Sequence, residues 1–506
     1  MNNPIALLQG RRGDLAMLIA GLCLPLSFAP FHLWPLALLS MLLLFLGWMQ
    51  VSAKQAFWRG WLFGVGMFSV GVSWVHVSMN RFGGVEETLS MGLTLLFALF
   101  LALFPALAGW LVRRFRAFES QPFLQLVLLM PVAWLLLEWA RSWVLTGFPW
   151  LSLGYAQIDG PLAGWAPLFG VFGLSLFTVT SAGLLGYLWL QGKAGLRRVL
   201  PLLAAIWLLP VMLNTVDWSE PTGEPISVAM IQGNVSQDMK WRPEQRIPTL
   251  DLYANLSREN WGTDLIIWPE TAVPALYHQI KPFLHAVAQE ARMNNSELLV
   301  GIPVYDEKEK HFFNSMLSLG GTEKFYTKRH LVPFGEYLPM PELLGGVIDF
   351  FQIPMSNFER GNPDEQPTLR LAGQLAGISI CYEDAFGDEV IESLPDATFL
   401  VNASNDAWFG DSVAPHQHLQ IARMRSLETA RYMLRSTNTG VSAIIDPKGD
   451  LITTSPQFEV DVLKGEIQPR TGMTPFAVFG NLPVVLYCLF SLLVLILISV
   501  FRPTRN

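Results

Sequence analysis

Charge is scarce in this sequence. Only 15% of its 506 residues are Asp, Glu, Lys or Arg, where a soluble protein carries about 25%. Cysteine is scarcer, with three in the whole chain. Internal repeats, low-complexity tracts, a P-loop and a G-x-G-x-x-G after a strand-like run are all missing. What abounds is apolar and aromatic: 51% hydrophobic residues, 33 Phe, 18 Trp and a mean hydropathy of +0.36. That balance excludes a disordered chain, a collagen-like chain and an ordinary nucleic-acid binder, and it predicts a membrane protein with a soluble part attached.

The charge is also unevenly spread. Residues 214–480 hold 35 acidic and 20 basic groups, a net of −15, whereas the remainder holds six acidic and fourteen basic, a net of +8. The acidic block makes nucleic acid an unsuitable partner. A bilayer crossing needs about 20 apolar residues, and candidate spans fall near 14–29, 33–50, 57–79, 88–112, 122–145, 166–190, 198–213 and 481–501. The sequence therefore divides into 1–213 with seven transmembrane helices, 214–480 as a soluble domain, and 481–506 with an eighth helix and a short tail.

Lys and Arg concentrate on the cytoplasmic side of membrane proteins. One set of loops and ends holds Arg11, Arg12, Lys54, Arg59, Arg113, Arg114, Arg116, Lys193, Arg197, Arg198, Arg502 and Arg505; the opposite set holds only Arg81 and Arg141. Both termini are then expected in the cytoplasm, with 214–480 exported. Of the cysteines, Cys23 and Cys488 lie in apolar spans and Cys381 stands alone in the exported block. In an oxidising compartment such a thiol is either buried and inert or kept for chemistry.

The block reads as α/β. Short apolar, β-branched runs predict strands at 226–233, 264–268, 298–304, 314–319, 375–381, 397–402 and 441–446. Helical patterns occupy 243–260, 281–294, 386–394 and 415–435, the last amphipathic with Ile421, Met424, Leu427 and Tyr432 set against Arg423, Arg425 and Arg431.

Three polar groups stand where strands end, the usual place for a site in an α/β fold. Glu270 follows Leu265-Ile266-Ile267-Trp268-Pro269, Lys328 follows Tyr326-Thr327, and Cys381 closes Gly377-Ile378-Ser379-Ile380. A thiol attacks acyl carbon as thiolate, so a carboxylate to take its proton and a cation to hold it form a coherent trio. Lys328 and a backbone N–H after Cys381 could also stabilise an oxyanion, with Glu336 and Glu383 orienting the lysine or tuning the proton transfer. His330, two residues from Lys328, permits a Cys–His dyad instead. His416 and His418 resemble half a metal site without further ligands at suitable spacing, so no metal is expected. Glu138 and Arg141, i and i+3 near a span's end, suggest a helix-surface ion pair. Tryptophans near helix ends suit an interfacial belt.

Together the motifs Trp-Pro-Glu-Thr, Lys-Arg-His-Leu-Val-Pro-Phe-Gly-Glu-Tyr and Ile-Cys-Tyr-Glu resemble the Glu-Lys-Cys triad of the nitrilase superfamily. With the flanking helices, the chain is similar throughout to the apolipoprotein N-acyltransferase family of Gram-negative bacteria. That resemblance implies a polytopic helical membrane domain of about eight transmembrane helices with an exported nitrilase-like α-β-β-α sandwich. It implies Glu270 as proton acceptor, Lys328 as oxyanion and positioning residue, Cys381 as acylated nucleophile, Glu336 as supporting carboxylate, and Tyr382 and Glu383 as shapers of the pocket. Trp241, Trp150, Phe148 and Asn314 are the lipid- and substrate-binding candidates it suggests, and the Phe- and Gly-rich stretch 345–361 is a candidate lid. The implied reaction moves an acyl chain from a phospholipid, phosphatidylethanolamine in the family, through a Cys381 thioester to the α-amine of an S-diacylglyceryl cysteine. No cofactor is implied. The expected setting is the bacterial inner membrane with the catalytic domain in the periplasm, working as a monomer.

Rival readings are a membrane-tethered nitrilase-like amidase acting on a small amide, a transporter with a periplasmic binding domain, and an envelope scaffold. The transporter predicts repeats and midplane charges that are not evident. The scaffold leaves the triad motifs unexplained.

Overall fold

A backbone shielded from water must satisfy its own N–H and C=O groups, so apolar runs of this kind form helices. The computed structural model describes residues 4–321, 323–339, 342 and 358–501. They fall into two compact units: Met1–His76, Thr88–Val216 and Phe479–Asn506 make one, and Val77–Glu87 with Asp217–Val478 make the other.

In the first unit, helices stand at every predicted span: Gly10–Cys23, Pro35–Trp48, Ala53–Gly71, Glu87–Leu101 running on into Leu103–Arg114, Met130–Arg141, Ala166–Gln191, Leu196–Leu213 and Leu482–Phe501. Among the described residues, four helical runs are long and apolar enough to cross a bilayer: Glu87–Arg114, Pro122–Arg141, Pro161–Leu213 and Leu482–Phe501. The pair Ala53–Gly71 and Val75–Phe82 makes a fifth if its 52° bend is counted within one span. The stretch read as a continuous helix over 57–79 is therefore broken. Within Pro161–Leu213 the backbone leaves helical geometry at Gly170, with φ +62° and ψ −171°, and at Gly192, with φ +58° and ψ −141°, so that run is not one helix.

Small residues let these helices approach closely. A Cβ on Gly21 would stand 2.0 Å from Phe63 O, and one on Gly60 would stand 2.4 Å from Pro105 O. Arg59 was expected in a loop but lies inside Ala53–Gly71, 1% exposed. Its Nε donates to Asp14 Oδ1 at 3.0 Å, Nη1 to Gly47 O at 2.6 Å and Nη2 to Leu8 O at 2.6 Å. Glu138 and Arg141 are likewise buried, facing protein. Glu138 Oε1 accepts the Leu153 N–H at 2.7 Å, while Arg141 donates to the carbonyls of Phe148 and Trp150. Backbone groups of the following loop outcompete solvent for both side chains.

The second unit has two six-stranded sheets. One runs, edge to edge, Asp461–Ile467, Ile226–Gln232, Leu265–Trp268, Glu297–Asp306, His311–Leu319, Lys324–Thr327. The other runs Leu451–Thr454, Ala443–Ile445, Met433–Thr437, Phe399–Ser404, Gln374–Ile380, Thr368–Leu371. Each has three central parallel strands with antiparallel neighbours outside. Parallel strands need cover on both faces. Alternate residues such as Ile231, Ile266, Trp268 and Val300 meet Leu250, Tyr253, Leu284 and Val287 of the helices Pro243–Arg258 and Tyr277–Met293. On the second sheet, Leu400, Met433 and Ala443 pack with Leu419 and Ala422 of the helix Ala414–Thr429. Between the sheets, Ser442 and Ser455 both donate to Gln232 Oε1, at 2.8 and 2.7 Å. The result is the layer order helix, sheet, sheet, helix.

The helix expected over 415–435 stops at Thr429, with Ala430 left-handed at φ +51°, and Met433–Thr437 is a central strand. Its arginines do not form a solvated face. Arg423 donates to Gly449 O at 2.8 Å, Arg425 pairs with Glu428 at 2.9 Å, and Arg431 donates to Ala397 O at 2.9 Å, all three buried. Buried arginines satisfied by carbonyls gave an amphipathic pattern that is not one. Similarly, 386–394 is one helical turn, Gly387–Val390, followed by a 3-10 turn.

Candidate active site

Glu270, Lys328 and Cys381 come together at the strand ends, as the sequence placed them. Pro269 ends the Leu265–Trp268 strand and turns Glu270 inward, 7% exposed. This turn crosses Gly301 so closely that a Cβ there would stand 2.1 Å from Pro269 O. Glu270 Oε1 accepts from Asn314 Nδ2 at 2.7 Å and lies 3.6 Å from Lys328 Nζ; Oε2 accepts the Asn405 N–H at 2.8 Å.

Lys328, 1% exposed, is held by its backbone, whose N–H donates to Asn314 O at 2.8 Å. Its ammonium sits 2.9 Å from both oxygens of Glu336. Glu336 is fixed in turn by Asn314 Nδ2 at 3.1 Å and the Val332 N–H at 2.8 Å. Burial works against the Lys328 charge, but Glu336 and Glu270 prevail and hold it well above the ordinary lysine range. This group is a permanent cation. Asn314, a candidate for binding substrate or lipid, is buried and bridges the two carboxylates.

Cys381 follows the Gln374–Ile380 strand at φ +52° and opens a 3-10 turn, Cys381–Ala385. A non-glycine residue in that region costs roughly 1–2 kcal/mol, so the elbow must be held by its surroundings. Burial, then the negative charge of Glu270, push its thiol well above the usual cysteine range, with Lys328 pulling the other way. Glu383 clamps the elbow to the lysine segment: Oε1 accepts the N–H groups of Arg329 at 2.6 Å and His330 at 3.1 Å, and Oε2 accepts the Ile380 N–H at 2.7 Å and Tyr326 O–H at 2.9 Å. Tyr382 is buried edge-on to Phe386, ring centroids 5.1 Å apart. The His330 ring, a possible dyad partner on spacing, stacks on Phe386 at 3.7 Å, and its Nδ1 bonds Glu389 at 2.7 Å.

Trp241 is 40% exposed in the same unit. Phe148 and Trp150 belong to the other unit, where they stack 6.3 Å apart and Trp150 packs on Trp74. Of the 345–361 stretch, residues 345–357 lie outside the described residues. Glu359 N–H donates to Phe312 O and Gly361 N–H to Lys328 O, each at 2.8 Å. Among the described residues no cluster of three or more His, Cys, Asp or Glu is arranged to hold a metal.

Sequence reasoning missed three groups here, Asn405, Lys240 and Arg435, and read a fourth, His418, only as half a metal site. Asn405 reaches Glu270 with its N–H and Gln237 with its side chain, at 2.8 Å each. Lys240 is 1% exposed, and its Nζ has no hydrogen-bond partner among the described residues. Burial draws its pKa down to about 8 against the pull of Glu270. His418 and Arg435 are buried against Asp384 and Asp406. The signal available was the polar run Asn402-Ala403-Ser404-Asn405-Asp406 leaving an apolar strand.

Two family models match the chain. Residues 20–184 match the one described as apolipoprotein N-acyltransferase N-terminal domain, and residues 227–475 the one described as carbon-nitrogen hydrolase. A protein of Methylococcus capsulatus named apolipoprotein N-acyltransferase is 47% identical over 477 residues, covering 94% of each chain. Proteins of the same name from Vibrio cholerae and Nitrosomonas europaea are each 43% identical, over 94% and 92% of this chain and 94% and 93% of theirs.

Proposed function

The chain belongs to the apolipoprotein N-acyltransferase family, and from that premise we propose how its own residues carry the reaction. The enzyme is an acyltransferase of the carbon-nitrogen hydrolase superfamily that completes lipoprotein maturation. The observation that carries the mechanism is the buried trio of Cys381, Glu270 and Lys328 at neighbouring strand ends, with Lys328 3.6 Å from Glu270.

Cys381 Sγ attacks the ester carbonyl of a phospholipid acyl chain while Glu270 takes the thiol proton. Lys328 and the Tyr382 backbone N–H receive the developing oxyanion. Collapse breaks the ester C–O bond, the leaving lysophospholipid hydroxyl takes the proton from Glu270, and Cys381 holds the chain as a thioester. The α-amine of an S-diacylglyceryl cysteine then attacks the thioester; Glu270 takes the ammonium proton and returns it to the departing sulfur. One product is the amide-linked triacylated lipoprotein, the other the restored thiol.

In this reading about eight helices cross the inner membrane, both termini lie in the cytoplasm and residues 214–480 work in the periplasm as part of a monomer. Helices at the eight predicted places, four or five of them long and apolar enough to cross, and the skew of Lys and Arg toward one set of loops and ends support it. Phosphatidylethanolamine is the donor, and Trp241, Phe148 and Trp150 guide lipid. The test supplies phosphatidylethanolamine and a diacylglyceryl-cysteine peptide to the full chain in detergent. Equimolar lysophospholipid and N-acylated peptide support the proposal. Free fatty acid with unmodified peptide would favour a hydrolase.

A further inference from the structure

The backbone carbonyl of Cys381 receives two buried donors. His418 Nε2 stands 3.2 Å from it and Asn402 Nδ2 3.1 Å. Its oxygen can only accept, and Asp384 Oδ1 lies 3.0 Å from the same Nε2. Nε2 therefore carries a hydrogen. Nδ1 faces Asp406 Oδ1 at 3.1 Å, and Arg435 and His418 hold Asp406 far down as a carboxylate against the effect of burial. The ring is an imidazolium. Arg435 closes the cluster, reaching Asp406 Oδ2 at 2.9 Å, Asp384 Oδ2 at 3.4 Å and Asn402 Oδ1 at 2.6 Å. His418 and Arg435 balance the two aspartates, which is how buried charge is tolerated.

The consequence lies in the next atom along the chain. A trans peptide is planar, so C=O and N–H point to opposite edges. Fixing the Cys381 carbonyl toward His418 and Asn402 turns the Tyr382 N–H to the other edge of that plane. At φ +52° the elbow departs from the ordinary L-residue basin, so the orientation of this peptide needs an external hold. A charged donor on the carbonyl also polarises the amide and strengthens its N–H.

We propose that His418 is a positioning residue for acyl transfer: with Asn402 it holds the Cys381–Tyr382 peptide so that the Tyr382 N–H serves as an oxyanion donor. The inference rests on Cys381 as nucleophile and on that N–H as part of the oxyanion site.

Two reactions of the same thiol separate this role from a structural one. Alkylation by iodoacetamide needs the thiolate but no oxyanion donor, whereas acylation by phosphatidylethanolamine needs both. In full-length enzyme in detergent, His418→Ala is expected to slow acyl-enzyme formation, read by intact mass, by about 100-fold, the scale of one lost oxyanion donor. Alkylation of Cys381 stays within about threefold of wild type, because Glu270 and Lys328 are untouched. His418→Gln, whose amide can still donate to the carbonyl, recovers acylation to within about tenfold of wild type. Acylation unchanged in His418→Ala, or both reactions falling together, would overturn the proposal. If His418→Ala does not fold, Asn402→Ser, which removes the other donor, must show the same contrast. An acyl adduct persisting in Cys381→Ala overturns the underlying reading directly, without reference to His418.

Discussion

The Lys328 ammonium is 2.9 Å from Glu336 but 3.6 Å from Glu270. The nearer partner of the lysine is thus Glu336, while Glu270 also accepts from two amide donors, Asn314 and Asn405. This separates the cation's partner from the base. Glu270 can gain and lose a proton while the Lys328–Glu336 pair stays intact.

Glu270→Gln should move two reactions in opposite directions. After burial, Glu270 is the next influence holding the Cys381 thiol high. Its neutralisation lowers the pH at which iodoacetamide alkylation rises. With the base gone, acyl-enzyme formation at neutral pH falls by 10²–10⁴-fold, the range that general-base catalysis supplies. A pH series of alkylation beside single-turnover mass measurements reads both.

Glu383→Gln tests the clamp. One amide oxygen cannot replace two carboxylate oxygens that accept four donors. A buried N–H left facing an NH₂ costs about 1–3 kcal/mol, so the variant's thermal midpoint drops, with acylation slowed as the elbow loosens.

His418 gives stability a pH dependence of known sign. Asp384 and Asp406 overcome burial and Arg435 to raise its pKa to about 9, against 6.5 ordinarily. The folded state then holds the proton more tightly than the unfolded, so the contribution is full below about pH 6.5 and lost as pH rises through about 9. Its upper bound is on the order of 3 kcal/mol. The stability difference between wild type and His418→Gln, followed by thermal unfolding, should shrink across that window.

Lys240 carries the opposite sign. Its pKa is lowered to about 8 from 10.5, so the buried amine costs stability below pH 8, and the cost fades as pH approaches 10.5. Lys240→Met is expected to raise the thermal midpoint at pH 7 and to lose that gain by pH 10. An equal gain at both values would contradict the assignment.

Much of the site was legible because each triad residue follows a short β-rich run, and strand ends are where α/β folds present side chains. The Ile226–Gln232, Leu265–Trp268 and Gln374–Ile380 strands announced themselves as short, mainly apolar runs. The edge strands Leu451–Thr454 and Asp461–Ile467 did not, because exposed or half-buried positions alternate through them. Met433–Thr437 was hidden by Arg435, a charge in a central strand that only the distant Asp384 and Asp406 make tolerable. Asn314 illustrates the same limit. Nothing local distinguishes an amide that binds substrate or lipid from one bridging Glu270 and Glu336, since its partners lie 44 and 22 residues away.

The central claim is that Cys381 carries the acyl chain. Full-length enzyme incubated with phosphatidylethanolamine in detergent, wild type beside Cys381→Ala, should show one fatty-acyl mass gain on wild type alone, mapped to the peptide containing Cys381, with lysophospholipid released in equal amount. Lysophospholipid released by both proteins, or an adduct on a residue other than Cys381, would contradict it.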